Sequence, residues 1–139
     1  MSPAIRASQD QTSAPPARSL RVLVVDDSHD TVLTTMALLR DEGYDTNGCY
    51  SGTEVMPAVR EYDPDVVLLD LALPGESGWE LARQIRSQIY GKRPMLIAIT
   101  GEYTKTADKI LSEMNGFDYY LVKPADPKVL FALLDKARE

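Results

Sequence analysis

The stretch RVLVVDDSHD, residues 21–30, joins an apolar run directly to a pair of carboxylates. Four of its first five residues are Val or Leu, a composition typical of a strand buried on both faces of a parallel sheet. Asp26 and Asp27 follow without a break, although adjacent carboxylates repel each other and each costs several kcal/mol to bury without a partner. The stretch therefore predicts a buried strand and raises the question of what its acidic end binds.

More apolar runs follow the first, and amphipathic stretches separate them. Including the first, the runs cover residues 21–25, 44–49, 66–69, 95–99 and 119–122. The second run is mixed with polar residues, which favours an edge strand. Apolar residues at helical spacing between and after the runs predict five helices. The alternation favours an α/β fold, a flavodoxin-like doubly wound five-stranded parallel sheet with strand order 2-1-3-4-5 and five helices.

Short motifs predict where several helices begin and end. Gly43 stands where a left-handed residue would end the first helix. Ser51 with Glu54, and Ser77 with Glu80, have the spacing of capping boxes, which would open the second and third helices. These signals place the loops that join strands to helices.

Composition and charge restrict the function. A chain of 139 residues with 44% hydrophobic residues suits one domain with a single core. The formal net charge of -6 opposes binding to phosphate backbones and anionic membranes, so we expect no nucleic acid and no membrane among the partners. Cys49 is the only cysteine, which excludes an internal disulfide and fits a cytoplasmic location.

Residues 1–19 differ in composition from the rest of the chain. They are rich in Ser, Ala, Pro and Gln, and Ile5 is their only large aliphatic residue. Such a segment buries too little apolar surface to offset the entropy that it would lose on ordering. We therefore expect a disordered N-terminal tail over residues 1–19 and one domain over residues 20–139.

Polar side chains stand at the carboxyl ends of four predicted strands. They are Asp26 with Asp27, then Asp70, Thr100 and Lys123. Because parallel strands end at one edge of a sheet, we expect these side chains to converge there. Clustered carboxylate oxygens suit Mg²⁺. Beside a metal, a lysine and a hydroxyl, a carboxylate can attack phosphorus, which would place an acyl phosphate on Asp70.

Four motifs in this order resemble those of the response-regulator receiver domains of two-component signalling. They are VVDDS at 24–28, LLDLALPGESG at 68–78, AIT at 98–100 and LVKP at 121–124. The resemblance covers residues 20–138, nearly everything outside the tail. It implies a phosphoprotein of a phosphorelay, which is no ordinary enzyme but a signalling switch that catalyses its own phosphorylation and dephosphorylation.

The resemblance also implies a role for the residues at the strand ends. Asp70 would be the phosphoacceptor, Asp27 a direct Mg²⁺ ligand and Asp26 a second ligand, often through water. Mg²⁺ would also bind Asp70 itself and the backbone carbonyl of Ala72. Lys123 would pair with the Asp70 carboxylate and later with its phosphoryl group.

A conformational switch is implied as well. Thr100 would close on the phosphoryl group, Tyr120 would change rotamer with it, and Gly101 would leave room for the phosphodonor. The Lys123-Pro124 peptide bond would be cis. The output face would be formed by the fourth helix, fifth strand and fifth helix, roughly residues 105–116 and 118–137.

We expect a sensor histidine kinase or a phosphotransfer protein to phosphorylate this receiver, which would then control a downstream protein. A stand-alone single-domain response regulator is the favoured form, and a receiver excised from a hybrid histidine kinase is the alternative. A second alternative is an aspartyl-phosphate phosphatase or phosphotransferase of the haloacid-dehalogenase class, which needs a second acid where this chain has Ala72. His29 is interpreted as a solvated loop residue rather than a phosphorelay histidine.

Overall fold

A computed structural model of the chain describes residues 19–88, 91–101 and 116–138. The strands are β1 (Arg21–Val25), β2 (Asp45–Cys49), β3 (Val66–Asp70), β4 (Met95–Thr100) and β5 (Tyr119–Val122). The helices in these ranges are α1 (His29–Asp41), α2 (Val55–Tyr62), α3 (Gly78–Arg86) and the C-terminal helix (Pro127–Ala137). A 3-10 turn, Gly52–Glu54, precedes α2.

The five strands form one parallel sheet in the order β2-β1-β3-β4-β5, which confirms the predicted fold. The central strand β3 is apolar up to its last residue and is buried along its whole length. The polar strand β2 lies at an edge, as predicted, and pairs with β1. Val25 lies level with Cys49 on one side and Leu69 on the other, so the neighbouring strands end together.

Side chains alternate between the two faces of the sheet and fill two core layers. In β1, Leu23 and Val25 belong to the layer that contains the buried residues of α2 and α3. Val22 and Val24 belong to the layer that contains those of α1 and the C-terminal helix. Helices therefore cover both faces of the sheet, which leaves the edge formed by the carboxyl ends of the strands open for a site.

The predicted boundaries of α1 and α3 agree with the structure. Gly43 has a φ of 93° and follows the end of α1, as a left-handed residue does at a helix C-terminus. At the start of α3, the Ser77 hydroxyl accepts a hydrogen bond from the Glu80 backbone N–H at 3.4 Å.

The capping box predicted at Ser51 is wrong. The Ser51 hydroxyl instead shares a hydrogen bond with the Thr53 hydroxyl at 3.1 Å, and a 3-10 turn separates Ser51 from α2. The Glu54 carboxylate still bonds backwards, but it accepts from the Tyr50 backbone N–H at 2.9 Å. Ser51 and Glu54 therefore stabilise a turn before the helix rather than the helix N-terminus.

Two predicted segments lie outside the described residues. The fourth of the five expected helices falls on residues 102–115, and all but the last residue of the expected tail falls on residues 1–18. Among the residues that the structure does describe, no helix has the length and apolar character needed to cross a membrane.

One arginine joins α3 to the strands at the amino end of the sheet. The Arg86 guanidinium donates to the carbonyl oxygens of Pro94 at 2.7 Å and Gly116 at 2.8 Å, and to Asp118 Oδ2 at 2.9 Å. The same Asp118 oxygen accepts the Leu96 backbone N–H at 2.9 Å. The Arg86 side chain is 13% exposed and that of Asp118 is 39% exposed, so the arginine end of these bonds is largely shielded from water.

We predict that Arg86→Met lowers the free energy of unfolding by about 2 to 3 kcal/mol, because it leaves two carbonyls and a carboxylate without their donor. Arg83→Met is the matched control on the same helix, since Arg83 forms an exposed ion pair with Glu80. That variant should lose less than about 0.5 kcal/mol. Urea unfolding followed by circular dichroism measures both, and equal losses would contradict this interpretation.

Candidate functional site

Three carboxylates converge at the carboxyl end of the sheet. One oxygen from each of Asp26, Asp27 and Asp70 lies within 4.8 Å of the others. The sheet order explains this, because β1 and β3 are neighbours that end at the same level. Asp26 and Asp70 are buried, at 4% and 2% exposure, whereas Asp27 is exposed.

The two buried carboxylates are held by their own loops in the same way. Asp26 Oδ1 accepts the Ser28 backbone N–H at 2.9 Å, and Asp70 Oδ1 accepts the Ala72 backbone N–H at 2.9 Å. Each aspartate thus bonds the residue two positions on, a turn that Asp favours. One oxygen of each carboxylate is fixed by the backbone, and the other is directed to a side-chain partner.

Lys123 is that shared partner. Its Nζ lies 3.0 Å from Asp26 Oδ2 and 3.2 Å from Asp70 Oδ2. Partial burial alone would lower the pKa of the Lys123 ammonium, but the hydrogen bonds and negative charges of the two carboxylates outweigh burial and raise that pKa above its usual value. The ammonium therefore stays charged and offsets the repulsion between the carboxylates.

The backbone places Lys123 by two features. Its N–H donates to the Thr100 carbonyl at 2.7 Å, which ties the end of β5 to the end of β4. The Lys123-Pro124 peptide bond is cis, as the resemblance implied.

The remaining predicted residues lie around this centre. Thr100 ends β4 and pairs with Val122, and Tyr120 is half-buried against the core layer that contains α2 and α3. A Cβ added at Gly101 would meet no other described atom within 4 Å, so this side of the site is open among the described residues. The part of the predicted output face at residues 105–115 lies outside the described ranges.

The donor set suits a hard dication. Mg²⁺ binds carboxylate and carbonyl oxygens and usually keeps several waters. Three carboxylates within 4.8 Å, one of them exposed, provide such oxygens and access for water. Ala72 is exposed beside this cluster, and the role of its carbonyl as a ligand stays a prediction.

Sequence reasoning placed His29 in a loop, but this residue begins α1 and stacks on another ring. The ring centroids of His29 and Tyr50 are 4.0 Å apart, at an interplanar angle of 36°. The contact joins the first residue of α1 to the residue that follows β2. No motif or periodicity in the sequence indicated that Tyr50 lies beside the site.

Comparison with known proteins gives a family and relatives. Residues 22–135 match the family model described as response regulator receiver domain. Two proteins described as DNA-binding response regulator MtrA, from Mycolicibacterium paratuberculosis and Mycobacterium tuberculosis, are each 42% identical over 112 residues, 81% of this chain. The match covers 48% and 47% of these relatives, so the chain spans about half their length.

Solved structures of receiver proteins have the same fold. The chemotaxis response regulator CheY4 of Vibrio cholerae matches with a TM-score of 0.77 at 26% identity, over 86% of this chain and 98% of that one. A CheY-like receiver domain from Methylobacillus flagellatus matches with a TM-score of 0.74 at 30% identity, over 86% and 98% of the two chains.

The relatives correct one expectation. We expected no nucleic acid among the partners, but that expectation is wrong because both relatives are described as DNA-binding response regulators. A net charge of -6 describes the average surface of this chain and does not constrain what a longer regulator binds elsewhere. The stand-alone form stays a prediction.

We predict that Lys123→Gln lowers the free energy of unfolding in metal-free buffer near neutral pH by about 1 to 2 kcal/mol, because Asp26 and Asp70 then repel each other without a counter-charge. The deficit should shrink as the pH rises above the raised pKa of the Lys123 ammonium, because the wild-type side chain is then neutral as well. Added Mg²⁺ should also restore stability.

The matched control for Lys123→Gln is Lys128→Gln, an exposed lysine at the start of the C-terminal helix. It should leave unfolding within about 0.5 kcal/mol of the wild type at every pH. Chemical unfolding of both variants, with and without Mg²⁺, provides the measurement. If Lys123→Gln without metal has the same free energy of unfolding as the wild type, the ammonium does not stabilise the cluster.

Proposed function

Since this chain belongs to the response regulator receiver domain family, we propose that it is the phosphoacceptor of a two-component system, with Asp70 as the residue that takes the phosphoryl group. Proteins of this family are signalling switches rather than ordinary enzymes. The observation that carries the proposal is the environment of Asp70. It is 2% exposed, 3.2 Å from the Lys123 ammonium, and within one acidic cluster with Asp26 and Asp27.

The strand order supports Asp70 as the nucleophile over its neighbours. β3 lies between β1 and β4, so Asp70 has the carboxylates of Asp26 and Asp27 on one side and Thr100 on the other. A phosphoryl group on Asp70 would therefore have metal ligands on one flank and a hydroxyl on the other, and it would lie beside the Lys123 ammonium, which contacts Asp26 as well as Asp70. Phosphoryl transfer depends mainly on such positioning and electrostatic stabilisation.

The chemistry follows from these side chains. An Asp70 carboxylate oxygen forms a bond to phosphorus while the bond from phosphorus to the donor breaks, and the donor leaves with that electron pair. The Lys123 ammonium and the Thr100 hydroxyl stabilise the charge on the phosphoryl oxygens. Asp27 and Asp70, with Asp26 through water and the Ala72 carbonyl, would hold Mg²⁺, which supplies further positive charge when bound.

The phosphodonor that we propose is a sensor histidine kinase or a phosphotransfer protein, met in the cytoplasm. The 42% identity to the two DNA-binding regulators supports an output that controls binding to DNA. A haloacid-dehalogenase type of enzyme is disfavoured, because it needs an acid where this chain has Ala72.

We predict that acetyl phosphate with Mg²⁺ adds one phosphoryl group to the wild type, labile to base and hydroxylamine as an acyl phosphate is. Asp70→Asn should gain none, because an amide is not a nucleophile toward phosphorus. His29→Ala and Asp41→Asn are the controls and should be labelled as the wild type is. Intact-protein mass spectrometry measures this. Labelling of Asp70→Asn at the wild-type rate would place the nucleophile elsewhere.

We further propose that the phosphoryl group biases a pre-existing equilibrium, through Thr100 and Tyr120, on the face of residues 105–116 and 118–137. New acceptor oxygens on Asp70 would attract the Thr100 hydroxyl, and Tyr120 would move into the space that it leaves. A ligand shifts such an equilibrium only by its differential contacts, and here these are made to Thr100 and Lys123.

We predict that beryllofluoride, a phosphoryl mimic, shifts amide resonances of this face in the wild type and in Thr100→Ser, which keeps the hydroxyl. Thr100→Ala should still bind the mimic at Asp70 but show at most about a third of the shift at residues 116–137, since it lacks the group that moves. Nuclear magnetic resonance spectra with and without the mimic provide the comparison. Shifts confined to α1 and α2 in the wild type would contradict the proposed face.

A further inference from the structure

The turn between β2 and α2, residues 50–54, supplies no carboxylate to the acidic cluster but contacts the segments that follow both acidic strand ends, namely the start of α1 and the loop after β3. On one side, the Tyr50 ring stacks on His29, which follows Asp27 by two positions. On the other side, Gly52 lies against the side chain of Glu76, in the loop after Asp70. The 50–54 turn is therefore placed to set how the two acidic loops lie relative to each other.

The contact between Gly52 and Glu76 leaves no room for a methyl group. A Cβ built on Gly52 would lie 2.5 Å from the Glu76 Cβ and 2.9 Å from its Cδ, with the Cγ closer than either. The Cγ and Cδ of Glu76 can rotate away, but its Cβ is fixed to the backbone. An alanine at position 52 thus requires the backbone on one side of the contact to move.

The 50–54 turn is the more firmly held side. The Glu54 carboxylate accepts the Tyr50 N–H at 2.9 Å, and the Glu54 N–H donates to the Ser51 carbonyl at 3.2 Å. The turn leads directly into Val55, which is fully buried in the core. Moving the turn would therefore disturb the packing of α2.

The loop after β3 is the less firmly held side of the contact between Gly52 and Glu76. Residues 72 and 74–75 of this loop are exposed, and Leu73 between them is buried in the core. Its ends are fixed, since Asp70 belongs to the buried strand and a Cβ at Gly78 would lie 3.0 Å from the Leu71 Cα. A shift forced at Glu76 would therefore fall first on residues 74–76, and it would reach the residue after Ala72 through the Glu76 N–H, which donates to the Leu73 carbonyl at 3.4 Å.

We propose that Gly52 is a positioning residue for the metal site, because its lack of a side chain lets Glu76 pack on the turn and so fixes the loop that carries Ala72. This inference rests on the proposed function, in which the cluster and the Ala72 carbonyl hold Mg²⁺. Mg²⁺ demands nearly ideal octahedral geometry, so displacement of one ligand by a fraction of an ångström weakens binding. Gly52 acts at a distance from the ion, through Glu76.

The test measures Mg²⁺ dissociation constants by isothermal titration calorimetry, with thermal unfolding of each variant alongside. Gly52→Ala is expected to weaken Mg²⁺ binding about tenfold, the lower end of the usual cost of losing a contact that supports a metal site. Thr53→Ser, at the exposed next position of the turn, keeps the hydroxyl that bonds Ser51, so it is the matched control and should bind as the wild type does.

Substitutions at Glu76 identify the contact responsible. Glu76→Gly removes all three close atoms and alone should weaken binding about threefold, because the loop loses its support. The double variant Gly52→Ala with Glu76→Gly should bind Mg²⁺ as tightly as Glu76→Gly alone, so the two losses of affinity should not multiply. Gly52→Ala combined with Glu76→Ala keeps the Cβ at 2.5 Å and should stay as weak as Gly52→Ala.

A second readout needs no metal. In the metal-free protein, the amide resonance of Ala72 should shift in Gly52→Ala relative to the wild type. In the double variant, it should lie close to its position in Glu76→Gly alone. A general loss of stability would not produce this pattern, because it would shift resonances throughout the domain rather than in one loop.

Three results would overturn the positioning role: wild-type Mg²⁺ affinity in Gly52→Ala, no recovery in its combination with Glu76→Gly, or wild-type affinity in Glu76→Gly alone. The last comparison does not depend on how stable Gly52→Ala is. Asp27→Ala separates these failures from failure of the proposed function. Lost affinity in Asp27→Ala keeps the acidic cluster as the metal site, whereas unchanged affinity removes the cluster and the positioning role together.

Discussion

The contact on which the site depends is the one that Lys123 Nζ makes with Asp26 Oδ2 and Asp70 Oδ2, at 3.0 and 3.2 Å. Two charged carboxylates that are nearly excluded from water repel each other strongly unless positive charge lies beside them. Lys123 supplies this charge from the far end of the chain, 53 residues after Asp70. The sheet order makes the contact possible, because it brings the ends of β1, β3 and β5 to one edge.

The two oxygens of each buried carboxylate have different partners. One oxygen of Asp26 and of Asp70 accepts an N–H two residues on, and the other oxygen contacts the Lys123 ammonium. Neighbouring strands hold the same points, since the Asp26 N–H donates to Cys49 and the Leu71 N–H to Ile99. A site built in this way needs little reorganisation when charge changes on it, which is what phosphoryl transfer requires.

Periodicity and strand ends make the sheet and the acidic site predictable from the sequence, whereas contacts between loops are missed. The apolar runs placed every strand to within one residue, and strand ends alone brought Asp70 and Lys123 to one site, because parallel strands share an edge. The contacts of Tyr50 with His29 and of Gly52 with Glu76 join segments that are distant in sequence, and neither periodicity nor capping signals encode them. The wrong expectation that the partners include no nucleic acid has another cause, since the net charge of this chain is only an average over its own surface.

These two kinds of information correspond to two properties of the site. The strand ends determine which side chains are present, and hence the chemistry that is possible. The loops determine distances of tenths of an ångström, and hence how tightly a small dication such as Mg²⁺ binds. The polar edge strand β2 contributes to these distances. The carbonyl of its last residue, Cys49, accepts the Asp26 N–H, and the turn after β2 contacts the start of α1 and the loop after β3. Metal affinity can therefore change through residues 50–54 while every carboxylate of the cluster stays the same.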